Sequence, residues 1–184
     1  MSRILALDLS LARTGVAVLD DGVLVDHGII ITSDRDPRHR RLGDLAADVS
    51  AVLCKHVPGV MAIETSSGWQ RMSNNSRASI EALAQARGAV LVAADGWIEA
   101  GNDLRIVEVD CHEVREVVCG NRAASKAQVQ ENLRLRGYEL PSINGRVQGD
   151  IADALAIAAY IWSHERLLSR EELKGYKENE HHDD

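Results

Sequence analysis

Four acidic residues stand at the ends of apolar segments, where rigid backbone would fix their carboxylates. Asp8 closes Ile4-Leu5-Ala6-Leu7, Glu64 closes Val60-Met61-Ala62-Ile63, and Asp150 and Asp153 lie three residues apart where an alanine-rich helix begins. Oxygen donors fixed in this way suit a hard divalent cation. Three or four that converge would hold Mg²⁺ and support phosphodiester hydrolysis. On a helix, positions i and i+3 put their Cβ atoms roughly 5–6 Å apart on one face, so Asp150 and Asp153 repel unless a cation sits between them.

Each acid also has a plainer reading. Carboxylates in a first helical turn are favoured by the helix dipole by about 0.3–1 kcal/mol, and aspartate after a strand is a common turn residue. Glu64 is harder to dismiss. Glutamate has low strand propensity and four apolar residues lead into it, so its carboxylate needs a metal or a salt bridge to repay desolvation.

The elements that must position these residues can be read from hydrophobic spacing. Residues 3 to 8 read as a buried strand, followed by Thr14 to Leu19, the turn Asp20-Asp21-Gly22, and then Val23 to Asp26 and Ile29 to Thr32. Asp-Gly between apolar runs is a hairpin cue, so the first three strands form an antiparallel meander. From Pro37 to about His56, Leu42, Leu45, Ala46, Val49, Val52 and Leu53 recur at helical spacing. The strand Val60 to Glu64 leads through a polar loop to a helix from roughly Ser76 to Ala94, and Leu104 to Val109 is a fifth strand. Asp110 and Ser125 can cap helices running to Val118 and Arg136, and the last long helix runs from about Gly149 to Leu167.

Composition sets the frame. A chain of 184 residues is of single-domain size. We expect one nuclease-sized domain over residues 1–168 and a charged, disordered tail over 169–184. No apolar run spans a membrane and no secretory signal opens the chain, so a cytoplasmic protein is expected. Cys54, Cys111 and Cys119 show no Cys-x-x-Cys spacing and read as reduced thiols. The formal net charge of −7 has the wrong sign for a phosphate binder. However, the four acids carry −4, and residues 165 to 184 hold seven acids against four bases, so the rest of the chain is close to neutral. Its bases are 17 Arg and 4 Lys, and arginine is the better fork for phosphate oxygens.

The element order, three strands, helix, strand, helix, strand, then helices, is similar to the ribonuclease H fold. That fold is an α/β architecture with a five-stranded mixed sheet, its first three strands antiparallel and helices on both faces. The chain further resembles the RuvC-type Holliday junction resolvases from about Ile4 to Ile161. The pieces that carry this are Asp8-Leu9-Ser10 with Thr14-Gly15, Ala62-Ile63-Glu64, Ala84-Gln85-Ala86-Arg87-Gly88, Gly120, Ala124-Ser125-Lys126-Ala127-Gln128-Val129-Gln130, and Asp150-Ile151-Ala152-Asp153-Ala154-Leu155-Ala156-Ile157-Ala158. Three departures stand out. Leu9-Ser10 replaces the family's Pro-Gly, Gly120-Asn121-Arg122 replaces its Gly-x-Gly, and the loop after Glu64 is several residues longer. A divergent or phage-type member fits this pattern.

The resemblance implies two Mg²⁺ ions about 4 Å apart, with Mn²⁺ able to substitute, in an in-line displacement that leaves 5′ phosphate and 3′ hydroxyl ends. It implies that Asp8 bridges both ions, Glu64 and Asp153 complete separate shells, and Asp150 adds a ligand or orients water. Trp69 would stack on an unpaired base at the crossover, in the place where the family carries an aromatic, and stacking is worth about 1–3 kcal/mol per base. It could instead anchor its loop. Arg71, Arg77, Arg122 and Lys126 are candidate phosphate contacts, each with solvated surface as the alternative. Cutting opposed strands of a two-fold junction calls for a homodimer. The helix 76–94, with Ala78, Ala82, Ala86 and Ala89 as a small-residue stripe, could supply the interface or pack on the sheet.

Three other functions compete. An actin-like or sugar-kinase-like ATPase also uses a strand, an aspartate and a Thr-Gly hairpin, but it needs two lobes, and no second copy is visible. A broader structure-specific nuclease would act on forks, flaps and replication intermediates. A catalytically silent branched-DNA binder would have lost a ligand, whereas all four acids are present.

Overall fold

The computed structural model describes residues 3–64, 77–143 and 146–179, and among these the side chains except those of Ile143 and residues 167–179. The elements in chain order are β1 (Ile4–Asp8), β2 (Arg13–Asp20), β3 (Val23–Ile31), α1 (Arg38–His56), β4 (Val60–Glu64), α2 (Arg77–Glu99), β5 (Arg105–Val109), α3 (Cys111–Cys119), α4 (Lys126–Leu135), β6 (Ser142–Ile143), β7 (Arg146–Val147) and α5 (Gly149–Asn179). The main sheet has the order β3-β2-β1-β4-β5. The first three strands pair antiparallel, and β4 joins β1 and β5 in parallel. Asp21 and Gly22 take positive φ values of 48° and 82° at the β2–β3 turn, as the primed turn of a tight hairpin requires.

Alternation along the strands divides the sheet residues between two cores. Ile4, Ala6, Ala17, Leu19, Val60 and Ala62 pack beneath α3, α4 and α5. Leu5, Leu7, Val16, Val18, Met61 and Ile63 pack beneath α1 and α2. Asp8 continues the series 4, 6, and Glu64 the series 60, 62, so the pleat turns both carboxylates toward the α5 side. Leu7 pairs with Ile63, which sets the two acids at adjacent strand ends.

Helix α5 is buried almost all round between Ile151 and Ile161, because it lies on the sheet while α3 and α4 pack against it. Its alanines let the backbone approach the strands closely. The approach is tightest at β2, where a β-carbon on Gly15 would overlap the carbonyl carbon and oxygen of Asp150.

Two helix starts follow the capping residues read from the sequence. The Asp110 side chain accepts from the His112 amide at 2.7 Å, and Ser125 forms a reciprocal capping box with Gln128. Other boundaries differ. The third strand is continuous rather than split at His27-Gly28, because pairing with β2 carries the chain through both residues. Helix α2 runs on to Glu99, past the expected end at Ala94, and α5 continues past Leu167 to Asn179. The β6–β7 ribbon has strands of two residues, too short to leave a periodic signal. The alanine stripe of α2 is divided, with Ala86 fully buried against the sheet and Ala78 exposed.

Candidate active site

Asp8 is placed by a fully buried strand and by a pinned loop. The Thr14 hydroxyl donates to the Ser10 carbonyl at 2.7 Å and accepts from the Ser10 amide at 3.3 Å, while the Thr32 hydroxyl donates to the Leu11 carbonyl. Leu9 and Leu11 are buried in the core beneath α1 and α2. The Leu9-Ser10 departure therefore replaces a stiff Pro-Gly with apolar anchoring and side-chain hydrogen bonds. Glu64 is placed by β4, which is buried up to its last residue.

Asp8, Glu64 and Asp153 share one cavity of about 160 Å³, together with Cys111 and Arg115 of α3 and Lys126 of α4. Lys126 Nζ donates to Asp153 Oδ2. Asp150 does not line the cavity; its Oδ2 accepts from Arg13 Nε at 2.9 Å. Its charge nevertheless reaches both Asp8 and Lys126. Three of the four acids thus line one cavity, and the fourth, held by an arginine, acts on it through its charge.

The electrostatics of crowded carboxylates follow. Burial pushes the Asp8 carboxyl from 3.8 up to about 8, and the charges of Asp153, Glu64 and Asp150 add to the rise while Lys126 opposes it. Burial also raises Glu64, with Asp153 adding to it and a hydrogen bond from Cys111 working against it. The Cys111 thiol is driven up to about 11, by burial first and then by Glu64. Burial works against the Lys126 ammonium, yet its bond to Asp153 and the charges of Asp8 and Asp150 hold its pKa above the ordinary value.

Such a site suits hard cations. Its donors are carboxylate oxygens, and their mutual repulsion is relieved in part by Lys126 and Arg115 in the cavity. A carboxyl whose pKa is pushed up to about 8 would give up its proton to a metal that took its place.

The candidate DNA contacts are scattered. Lys126 lies in the cavity itself. Arg77 is exposed at the first turn of α2. Arg122 is exposed, with its guanidinium donating to Glu116 at 2.9 Å. Trp69 and Arg71 lie outside the described residues, as does Ser76. Three residues escaped the sequence reading. Cys111 and Arg115 are four apart on α3 and flank its buried Val114, a spacing that marks one face once α3 is known to cross the site. Arg13 shares its β2 face with Gly15, two residues on, and that face becomes informative only with the position of α5.

The model for crossover junction endodeoxyribonuclease RuvC matches residues 4–160. The crossover junction endodeoxyribonuclease RuvC of Gloeobacter violaceus is 34% identical over 167 residues, covering 88% of each chain. The Thermus thermophilus RuvC structure superposes with a TM-score of 0.71 at 26% identity, over 90% of this chain and 96% of that one. The same protein in complex with Holliday junction substrate superposes with a TM-score of 0.68 at 26% identity, over 87% and 92%. With the ribonuclease H-like sheet, the clustered acids and this breadth of similarity together, the chain belongs to the RuvC family of crossover junction endodeoxyribonucleases.

Proposed function

We propose that the protein resolves four-way (Holliday) DNA junctions by paired symmetric nicks that leave 5′ phosphate and 3′ hydroxyl ends. The observation that carries this reading is the shared cavity of Asp8, Glu64 and Asp153 in a chain of this family. Two Mg²⁺ ions, or Mn²⁺ in their place, would supply an activated water and stabilise the departing 3′ oxygen. Asp8, whose carboxyl feels the charges of Asp153, Glu64 and Asp150, would be the residue to hold both ions. Glu64 and Asp153 would complete the ligand set, and Asp150 would serve as a further ligand or orient the attacking water.

The chain's cations have distinct tasks in this reading. Lys126 and Arg115 line the same cavity and place positive charge where a scissile phosphate would sit, which favours the charge that builds on its oxygens. Arg77 and Arg122 bind backbone phosphates farther out, and Arg71 does so from the loop after Glu64. Trp69 in that loop stacks on a base unpaired at the crossover. A larger hollow of about 360 Å³ is lined by the Leu9–Ala12 loop, Arg38, Arg41 and the start of α2, and its two arginines would suit backbone phosphate.

A homodimer would present two such sites to opposed strands. Ala84, Gly88 and Val92 are exposed at i, i+4 and i+8 of α2, and Val92 is 72% exposed, so this outer face offers small residues and an apolar anchor to a second copy. Residues 1–168 form the nuclease unit in this proposal, 169–184 a charged extension, and the protein acts in the cytoplasm. No helix among the described residues is long and apolar enough to cross a membrane.

The deciding experiment incubates the purified protein with synthetic four-way, Y-shaped and linear DNA, in Mg²⁺ or in EDTA. Symmetric paired nicks confined to the four-way substrate and absent in EDTA are expected. Equal cutting of Y-forms would replace resolution by a broader structure-specific nuclease, and binding without nicks would indicate a silent binder. Asp8→Asn is expected to bind junctions and not cut them.

A further inference from the structure

The four acids are not equally available to a cation. Asp8, Glu64 and Asp153 face the cavity, whereas Asp150 is turned to Arg13, with Nε 2.9 Å from Oδ2. The pairing is imposed by the fold. Arg13 and Gly15 are two apart on β2 and share its α5 face, and Gly15 is where the strand takes the backbone of Asp150 without room for a β-carbon. The first turn of α5 is therefore set down beside Arg13. The partner comes from 137 residues away in sequence.

The strength of the pair is also informative. Both side chains are part-exposed, 48% for Arg13 and 33% for Asp150, and ion pairs open to water contribute little net stability. The contact is therefore exchangeable at small cost, unlike a buried pair. Its position at the margin of a cavity that receives a phosphodiester supplies the competitor, since a guanidinium pairs with phosphate oxygens as well as with a carboxylate.

Resting on the metal-dependent reading above, we propose that Arg13 is a positioning residue that keeps Asp150 out of the metal shell in DNA-free protein, with backbone phosphate competing for its guanidinium. Metal then meets three carboxylates before substrate arrives and a fourth afterwards. By thermodynamic reciprocity, DNA that frees Asp150 tightens metal binding, and metal tightens DNA binding by the same factor. Complete loading of the centre is thereby coupled to the presence of a strand to cut.

The test is a calorimetric titration of the full chain with Mn²⁺ or Mg²⁺ in the absence of DNA. Asp150→Asn is expected to weaken metal binding less in the wild-type background, where Asp150 acts only through its charge, than in the Arg13→Gln background, where it is free to become a ligand. Arg13→Gln is expected to bind metal about threefold to fivefold more tightly, the range an exposed ion pair withholds. Arg13→Gln combined with Asp150→Asn is expected to return to the wild-type value, and Arg13→Lys, which keeps the charge, to remain there. The proposal is overturned if Asp150→Asn weakens binding equally in the wild-type and Arg13→Gln backgrounds, which would mark a general charge effect, if Arg13→Gln changes nothing, or if the double variant keeps the gain. Should Arg13→Gln lose its melting transition, Arg13→Met takes its place in the same cycle. Cleavage of four-way DNA by wild type in Mg²⁺, measured separately, tests the underlying function and leaves the isotherms to test Arg13.

Discussion

Gly15 and Asp150 meet backbone to side-chain position: the space a β-carbon would need on Gly15 is filled by the carbonyl group of Asp150. This contact seats the first turn of α5 on β2 and so fixes Asp153 one turn further on. Gly15→Ala must push the helix away. We expect a loss of about 1–3 kcal/mol in urea denaturation, the usual range for forcing a group into filled space. Cleavage should fall more than junction binding, because the shift displaces a carboxylate of the cavity. Unchanged stability in Gly15→Ala would show that the helix yields freely.

Asp8 should leave a signature in the pH dependence of stability. Its folded pKa of about 8 lies above the ordinary 3.8, so the folded state keeps a proton that the unfolded chain releases. The penalty begins near pH 4, grows with rising pH, and is complete above about pH 8. In the metal-free protein, the stability of wild type relative to Asp8→Asn is expected to decline across that window, as read by thermal melts in EDTA. Mg²⁺ should reverse the order near pH 8, where it takes the place of the proton. Parallel melting curves for the two proteins at all pH values would remove Asp8 from the centre of the cluster.

Lys126 is the ammonium that touches the acid cluster, through Asp153. Lys126→Met removes a charge that lowers the Asp8 pKa, so the upper end of the stability window just described should move to higher pH while its start near pH 4 stays. Cleavage is expected to slow by about 10²-fold, the scale for losing one group that favours transition-state charge. Single-turnover assays at saturating DNA separate this from weaker binding. A variant that cuts at the wild-type rate would make Lys126 a structural counter-ion alone.

The three cysteines should differ in reactivity. Cys54 is exposed, whereas the Cys111 thiol is held near pKa 11 by burial and by Glu64, and the thiolate is the reactive form. Iodoacetamide at pH 8 is expected to label Cys54 well before Cys111, as followed by peptide mass spectrometry. Glu64→Gln removes the nearby charge but not the burial, and should speed labelling of Cys111 partway. If Cys111 is labelled first in wild type, the thiol is not buried against Glu64.

Much of this arrangement was legible in the chain because it rests on short-range periodicity. The series Ile4, Ala6, Asp8 and Val60, Ala62, Glu64 repeat every second residue, so each acid shares a face with core residues whatever the sheet order. The buried stretch after Asp150 and the capping residues Asp110 and Ser125 were equally visible. The Arg13–Asp150 pair was not, because it depends on how a helix near one end of the sequence lands on a strand near the other. Cys111 and Arg115 were missed for the same reason: their helix reads as an ordinary amphipathic segment until its packing against α5 is known. The β6–β7 ribbon was hidden by its length.

Assembly of the site from distant stretches also times its appearance during synthesis. Asp8 and Glu64 belong to strands that can pair early, but Asp153 reaches the cavity only after nearly the whole domain has left the ribosome. Translation proceeds from the N-terminus, so a nascent or prematurely terminated chain ending before Gly149 would carry two of the acids and none of the α5 core. Such fragments would lack the α5 carboxylates, so cutting is withheld until the end of the domain is made.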